Sequence, residues 1–360
     1  MRWAPSLLSP SRSKRIAYRE PVVMKQHNLQ KIVLRAAMLA LSIFSVAALF
    51  SACAKQDEVT VPTTVETTAV SESEPTMPEG TINYQGAYYA PKDDLQTVLI
   101  MGLDKFEREE QTLAYTNKMQ SDFLLLVVID EEAQTCDLLH LNRDTMTEIP
   151  RLGFGGSSAG TFVGQLALAH TYGSGGSDSC LNAVKAVSNF LGGVKIDHYM
   201  TLTMDAVGKI NDLVGGVTVT MLDDFTDLDP EMEKGKEITL KGDQALLYVR
   251  SRRELEDSSN LHRMERQRQY LNAFYEKLME ANRKVSGFLS STLLKVNDDF
   301  ESDCTVNQLE ELSNLLEKCS VNPIRSLDGE AIQGEEFIEF YADEESVQDA
   351  VLSLFYTKVS

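Results

Sequence analysis

Residues 97–104 read TVLIMGLD, residues 121–129 read SDFLLLVVI, and residues 135–145 read TCDLLHLNRDT. Each couples an apolar run to charge at one end. Continuous apolar runs of this length mark strands buried on both faces, not half-exposed ones. Outward from them the period changes. Asp178 is expected to cap a helix with Leu181, Val184, Val187 or Ser188 and Leu191 on one side, and Gly192-Gly193 ends it. Residues 198–204 (HYMTLTM) and 217–221 (VTVTM) read as strands, with a helix over 205–214 stopped by Gly215-Gly216. Residues 242–253 and 262–284 have helical spacing. The sum is an α/β domain with helices packed on a mixed sheet.

Residues 307–318 and 345–355 have the period of amphipathic helices, and 336–341 (EFIEFY) read as an edge strand. The C-terminal part, 286–360, is therefore expected to pack on the same domain as 94–285. The stretch 153–160 (GFGGSSAG) is expected as a flexible loop. Hydrophobic residues make up 43% and charged residues 24%, which excludes a disordered or fibrous chain. The net charge of −20 is uneven: residues 1–35, a basic N-terminal region, hold eight basic residues against Glu20 alone, leaving −27 on the remainder. A surface of that sign repels phosphate backbones, so no nucleic-acid partner is expected.

Residues 36–54 (AAMLALSIFSVAALFSACA) carry no charge and follow the basic region, the pattern of a signal sequence or a single membrane anchor. The run ends Leu49-Phe50-Ser51-Ala52-Cys53, which resembles a bacterial lipoprotein cleavage box with Cys53 as its lipidation site. Phe50 departs from the aliphatic residue usual there. Lipid anchor and uncleaved span stay open, as does a start at Met1 or Met24. Both forms place the rest of the chain at the extracytoplasmic face of a bacterial cell membrane. Residues 55–93, rich in Thr, Val, Glu, Ser and Pro, are expected to be a flexible linker. Of the remaining cysteines, Cys304 and Cys319 are close enough in sequence to pair in an oxidising compartment, or all four are buried thiols. No metal-ligand spacing among them indicates zinc.

The chemistry sits where apolar runs meet charge. Asp104 and Asp122 are two carboxylates at strand ends, a donor set suited to Mg²⁺ with its oxygen ligands and retained waters; the plainer reading makes them turn residues. Arg250, Arg252, Arg253, Arg263, Arg266 and Arg268 form a cluster whose guanidinium groups match phosphate oxygens. Pairing with Glu254, Glu256, Asp257 and Glu265 is the alternative use.

Taken together, these stretches resemble the LytR-CpsA-Psr (LCP) family of the bacterial envelope. The resemblance is carried by VLIMGLD (98–104), SD (121–122), LNRDTMTEIP (141–150), GQLALAHTYGSGG (164–176), IDHYMTLTMDAV (196–207), LVGGVTV (213–219), LKGDQALLYVRSRR (240–253) and RMERQRQ (263–269), in family order. It implies a three-layer α/β/α domain with a central mixed sheet and a long apolar cleft for a polyprenyl-pyrophosphate-linked glycan. The implied activity is transfer of the glycan phosphate to a peptidoglycan hydroxyl. Carried over by residue, Asp104 and Asp122 bind Mg²⁺. Arg143, Arg250, Arg252, Arg263 and Arg266 grip the pyrophosphate with Gln267 in support, and Asp144 orients Arg143 or assists proton transfer. Phe106 and Gln120 stand where the family often has arginine, and Asn260-Leu261-His262-Arg263 replaces an acidic-aromatic-glycine-arginine run; Lys105, Arg108 or Lys118 are candidates to substitute in space. These gaps keep an alternative open, a catalytically weak polyprenyl-phosphate-binding or regulatory homologue of the attenuator type. His170 is expected to be structural, and Gly173, Gly175 and Gly176 to make a tight loop.

The anchor can be tested directly. If Cys53 is acylated, Cys53→Ser leaves a full-length precursor without the lipid mass, read by intact-protein mass spectrometry. A wild-type protein that retains residues 24–52 establishes the uncleaved span instead.

Overall fold

The computed structural model describes residues 77–106, 115–252 and 259–359. The expectations placed on residues 36–54, Cys53, Arg108 and Arg253 lie outside them. Among the described residues, a seven-stranded mixed sheet runs in the order Phe300–Ser302, His198–Thr203, Leu95–Leu103, Ser121–Asp130 and Thr135–Leu141, with Ser320–Val321 and Arg325–Ser326 both beside Thr135–Leu141. The three strands read first in the sequence are antiparallel neighbours, and His198–Thr203 runs parallel to Leu95–Leu103.

Alternation along each strand explains why the runs are apolar throughout. Leu99, Met101, Leu124, Leu126, Leu139 and Leu141 pack against the helices Ser177–Phe190 and Glu344–Phe355. Val98, Ile100, Leu125, Val127, Ile129 and Leu138 pack against Asn260–Lys284 and Val306–Lys318 on the other side. The C-terminal part thus supplies a helix to each face. Gly102 sits at a bulge, where an added Cβ would lie 2.9 Å from the Cβ of Phe123. That bare backbone lets the chain turn out toward Asp104.

Three expectations are corrected. The linker does not extend to residue 93: Ile82–Tyr84 and Ala87–Pro91 form a hairpin that is joined by Tyr356–Lys358. Gln85 and Gly86 both have positive φ, 51° and 84°, which is the two-residue turn that matches strand twist. The stretch 153–160 is not a free loop but the connection and first residues of a hairpin between Met146–Leu152 and Ser158–Gln165. Asp178 lies in the first turn of its helix, behind Gly176 as N-cap, and accepts hydrogen bonds from Ser174 and Ser179.

A second core forms beside the sheet. The hairpin Val217–Thr220 with Glu237–Leu240 packs Val217, Val219 and Leu240 against Ala245 and Tyr248 of Asp243–Arg250 and Tyr270 of Asn260–Lys284. Arg266 lies inside this unit with 0% exposure. Its Nε donates to the Tyr248 carbonyl at 2.9 Å, and its other nitrogens reach the Ser251 carbonyl and the Asp223 carboxylate. The guanidinium stands 5.5 Å from the Phe225 ring centroid. This corrects the expectation that Arg266 grips a substrate. One turn into the helix, it faces inward and fastens the segment that carries Arg250 and Arg252.

Removing one partner of a buried ion pair leaves a stranded charge and costs about 3–5 kcal/mol. Asp223→Ala should therefore lower the urea midpoint by that equivalent. Arg250→Ala, whose pair with Asp104 is more than half exposed, should cost no more than about 1 kcal/mol. Equal losses in the two variants would remove Arg266 from this clamping role.

Candidate functional site

Strand register brings the predicted residues to one mouth. Leu103 pairs with Ser121, so Asp104 at the end of one strand stands beside Asp122 at the start of its antiparallel neighbour. Leu124 pairs with Leu141, which returns Arg143 to the same end. Arg250 closes the helix Asp243–Arg250, and Ser259 caps Asn260–Lys284 by accepting from the His262 N–H at 3.2 Å, which places Arg263 in the first turn.

These side chains share one pocket of about 800 Å³, lined by Asp104, Lys118, Gln120, Asp122, Arg143, Asp243, Arg250, Arg252 and Arg263 among others. Five cations face three carboxylates there, a local excess of positive charge in an acidic chain. Arg143 pairs with Asp122, donates from Nη2 to Gln120 Oε1 at 2.6 Å, and has Nε 3.5 Å from Asp144 Oδ1. Gln120, in the place of a family arginine, thus serves as an acceptor that aims Arg143. Arg250 Nη2 lies 3.2 Å from Asp104 Oδ1. Arg263 donates to Asn260 Oδ1 at 2.6 Å, while its Nε is buried with no acceptor among the described residues. Burial, then the like charges of Arg143 and Arg252, push Arg263 down to about 10. An anion in the pocket would relieve that crowding.

Asp144 sits behind the pocket wall. Gln165 Nε2 donates to its Oδ1 at 2.9 Å, and burial raises its pKa against the pull of Arg143. Its Oδ1 lies 3.5 Å from the Arg143 Nε. Gln267 donates to the Val249 carbonyl at 3.1 Å and lines an adjoining apolar cavity rather than the charged pocket. His170 is buried beneath the surface, its pKa lowered to about 4 by burial, and its carbonyl accepts from Asn117, so it is a structural residue. Sequence reasoning missed Asp223. It pairs with Arg266 and lies 2.8 Å from His262 Nε2, and no local pattern marks an acid 43 residues upstream of its partner. The four cysteines described are free thiols.

Behind the charged residues the lining turns apolar. A cavity of about 220 Å³ shares Met204 with the charged pocket and is walled by Ile100, Leu125, Leu202, Val207, Tyr270 and Phe274. It shares Ile100, Leu125, Leu202, Ile210, Leu271 and Phe274 with a second, of about 230 Å³, that lies between the sheet and the helices Asn260–Lys284 and Val306–Lys318. A cationic mouth over an apolar interior is the complement of an amphiphile with an anionic head.

Comparison with known proteins identifies relatives of the chain. The chain is 28% identical over 219 residues to the polyisoprenyl-teichoic acid–peptidoglycan teichoic acid transferase TagU of Halalkalibacterium halodurans, across 60% of this chain and 65% of that protein. It is 30% identical over 192 residues to the transferase TagV of Bacillus subtilis, which carries the same activity in its name, across 52% of this chain and 44% of that protein. The chain therefore spans less than two thirds of the length of either relative. A solved structure of TagT bound to LI-WTA matches with a TM-score of 0.55 at 22% identity, over 73% of this chain and 90% of that one, which shows the shared fold. The LytR_cpsA_psr family profile matches residues 56–351, most of the sequence, and the chain belongs to that family.

Proposed function

We propose that this protein is a membrane-anchored, extracytoplasmic phosphotransferase that moves a glycopolymer from a polyprenyl-pyrophosphate carrier to peptidoglycan. The observation that carries the reading is the junction of a five-cation pocket with apolar cavities beneath it. The names of TagU and TagV point to a teichoic acid as the glycopolymer class. In this reading Arg143, Arg250, Arg252 and Arg263 hold the pyrophosphate oxygens, and the prenyl tail enters the apolar cavities. An acceptor hydroxyl oxygen bonds to the glycan-side phosphorus, the pyrophosphate P–O bond breaks, and polyprenyl phosphate leaves. Asp144 keeps Arg143 in line or takes the hydroxyl proton through the pocket. The demand of such a step is positioning and charge neutralisation, which is what clustered guanidinium groups supply.

Asp104 and Asp122 fit a hard divalent ion, since both offer carboxylate oxygens to the same pocket and neither cysteine nor histidine lines it. Mg²⁺ held there would polarise phosphoryl oxygens. A second reading, carrier binding without turnover, draws on the pairing of both carboxylates with arginines.

Asp104→Ala and Asp122→Ala should each abolish Mg²⁺-dependent turnover of a polyprenyl-pyrophosphate glycan, with thermal unfolding unchanged in Asp104→Ala, whose pair is exposed. Wild-type turnover in both, at matched stability, would remove the two residues from the mechanism. Carrier binding without turnover in the wild type favours the second reading.

Arg143→Lys and Arg250→Lys keep the charge but lose the planar fork. Each lost charge-assisted contact is worth roughly 1.5–3 kcal/mol, so carrier affinity should fall about tenfold to a hundredfold. Unchanged affinity with a lowered melting point would make the cluster structural and overturn the transferase reading.

A further inference from the structure

We propose that His198, Asp303 and Cys304 form a structural binding site for a borderline-soft divalent cation, best fitted by Zn²⁺, at the end of the sheet away from the charged pocket. His198 opens the strand whose last residue, Thr203, adjoins the pocket residue Met204. Asp303 and Cys304 directly follow the edge strand Phe300–Ser302, which pairs antiparallel with His198–Thr203. One ligand atom from each residue lies within 4.8 Å of the other two.

The donors are already held in place. The Tyr199 N–H donates to Asp303 Oδ1 at 3.0 Å. The Ser302 hydroxyl donates to the Tyr199 carbonyl at 2.6 Å and accepts from the Cys304 N–H at 3.0 Å. Asp303 Oδ1 lies 3.4 Å from His198 Nδ1 and 4.0 Å from the Cys304 Sγ. His198 Nδ1 is buried, yet it has no hydrogen-bond partner among the described residues. Around a tetrahedral zinc ion such atoms stand roughly 3.3–3.6 Å apart, so modest side-chain rotation closes the set. An imidazole, a thiolate and a carboxylate select Zn²⁺ over Mg²⁺, and the one-third exposed side chain of Asp303 leaves room for a water as fourth ligand.

The neighbourhood gives the ion a purpose. Gln308 Nε2 lies 3.4 Å from His198 Nε2, and Gln308 completes the capping box of Val306–Lys318 with Thr305. Phe300, Leu309 and Leu312, from the same edge strand and helix, wall the apolar cavity of about 230 Å³. The ion would staple that wall to the central sheet.

The test uses full-length protein in detergent with a non-thiol reductant, and Co²⁺ alone as the spectroscopic probe. The wild type should develop tetrahedral ligand-field bands and a thiolate-to-cobalt charge-transfer band, displaced by Zn²⁺ and not by Mg²⁺. Cys304→Ser should lose the charge-transfer band and His198→Gln the tetrahedral spectrum, while Cys319→Ser keeps both. In the unmutated protein, Zn²⁺ should protect Cys304 from alkylation, read by peptide mass mapping, which needs no variant to fold. Absence of the charge-transfer band in the wild type, its survival in Cys304→Ser, unchanged alkylation of Cys304, or a Cys304–Cys319 disulfide in the isolated protein would each overturn the site.

Discussion

Antiparallel register among three buried strands governs where every charged group of the pocket lies. Leu103 opposite Ser121 and Leu124 opposite Leu141 put one strand end, one strand start and a second strand end at the same edge. A slip of one residue would send Leu99, Met101, Leu124 and Leu126 to the opposite face, into the space filled by Leu271 and Leu312. It would also move Asp122 and Arg143 apart. Because both faces are covered by helices, that slip has no low-energy version. The core therefore specifies the site, although no core side chain reacts.

Gathering cations in an acidic chain needs a scaffold that can carry a charge of its own. Arg266 does this from inside, with Asp223 as counter-ion and two main-chain carbonyls as acceptors. Its hydrogen bonds fix the backbone at Tyr248 and Ser251, between which Arg250 lies and after which Arg252 follows. The exposed guanidinium groups can then exchange partners without unravelling the segment that bears them.

The central strands and most helices were legible because burial on two faces leaves an unbroken apolar run, and one-sided burial leaves a 3.6-residue period. Asp104, Asp122 and Arg143 were legible for a related reason: charge abutting such a run must lie at a strand end. Depth was not legible. Arg263 and Arg266 are three apart on one helix, and spacing gives them a common face. Only the packing of Phe225 and Asp223 makes one a pocket residue and the other a buried clamp. The hairpin Ile82–Tyr84 with Ala87–Pro91 carried a turn signal at Gln85-Gly86, but it follows a Thr-, Glu- and Pro-rich stretch whose composition reads as linker. His198, Asp303 and Cys304 gave no signal, since about a hundred residues separate the first from the others and only strand pairing joins them.

The ion pairs of the pocket bear on how the proposed ligands would bind. Arg143 neutralises Asp122 and Arg250 neutralises Asp104, so each carboxylate is held by a group that the proposed function assigns to pyrophosphate. A polyanion that recruits Arg143 and Arg250 leaves Asp122 and Asp104 without counter-charge, which raises their affinity for a divalent cation. In the proposed reading, a cation on the two aspartates would in turn free both arginines for phosphate. Linkage requires these two effects to be equal in free energy. Arg263 adds to the same balance, because the like charges of Arg143 and Arg252 already press on it before any anion arrives. Metal and carrier would thus bind with positive coupling, each completing the electrostatic balance that the other disturbs.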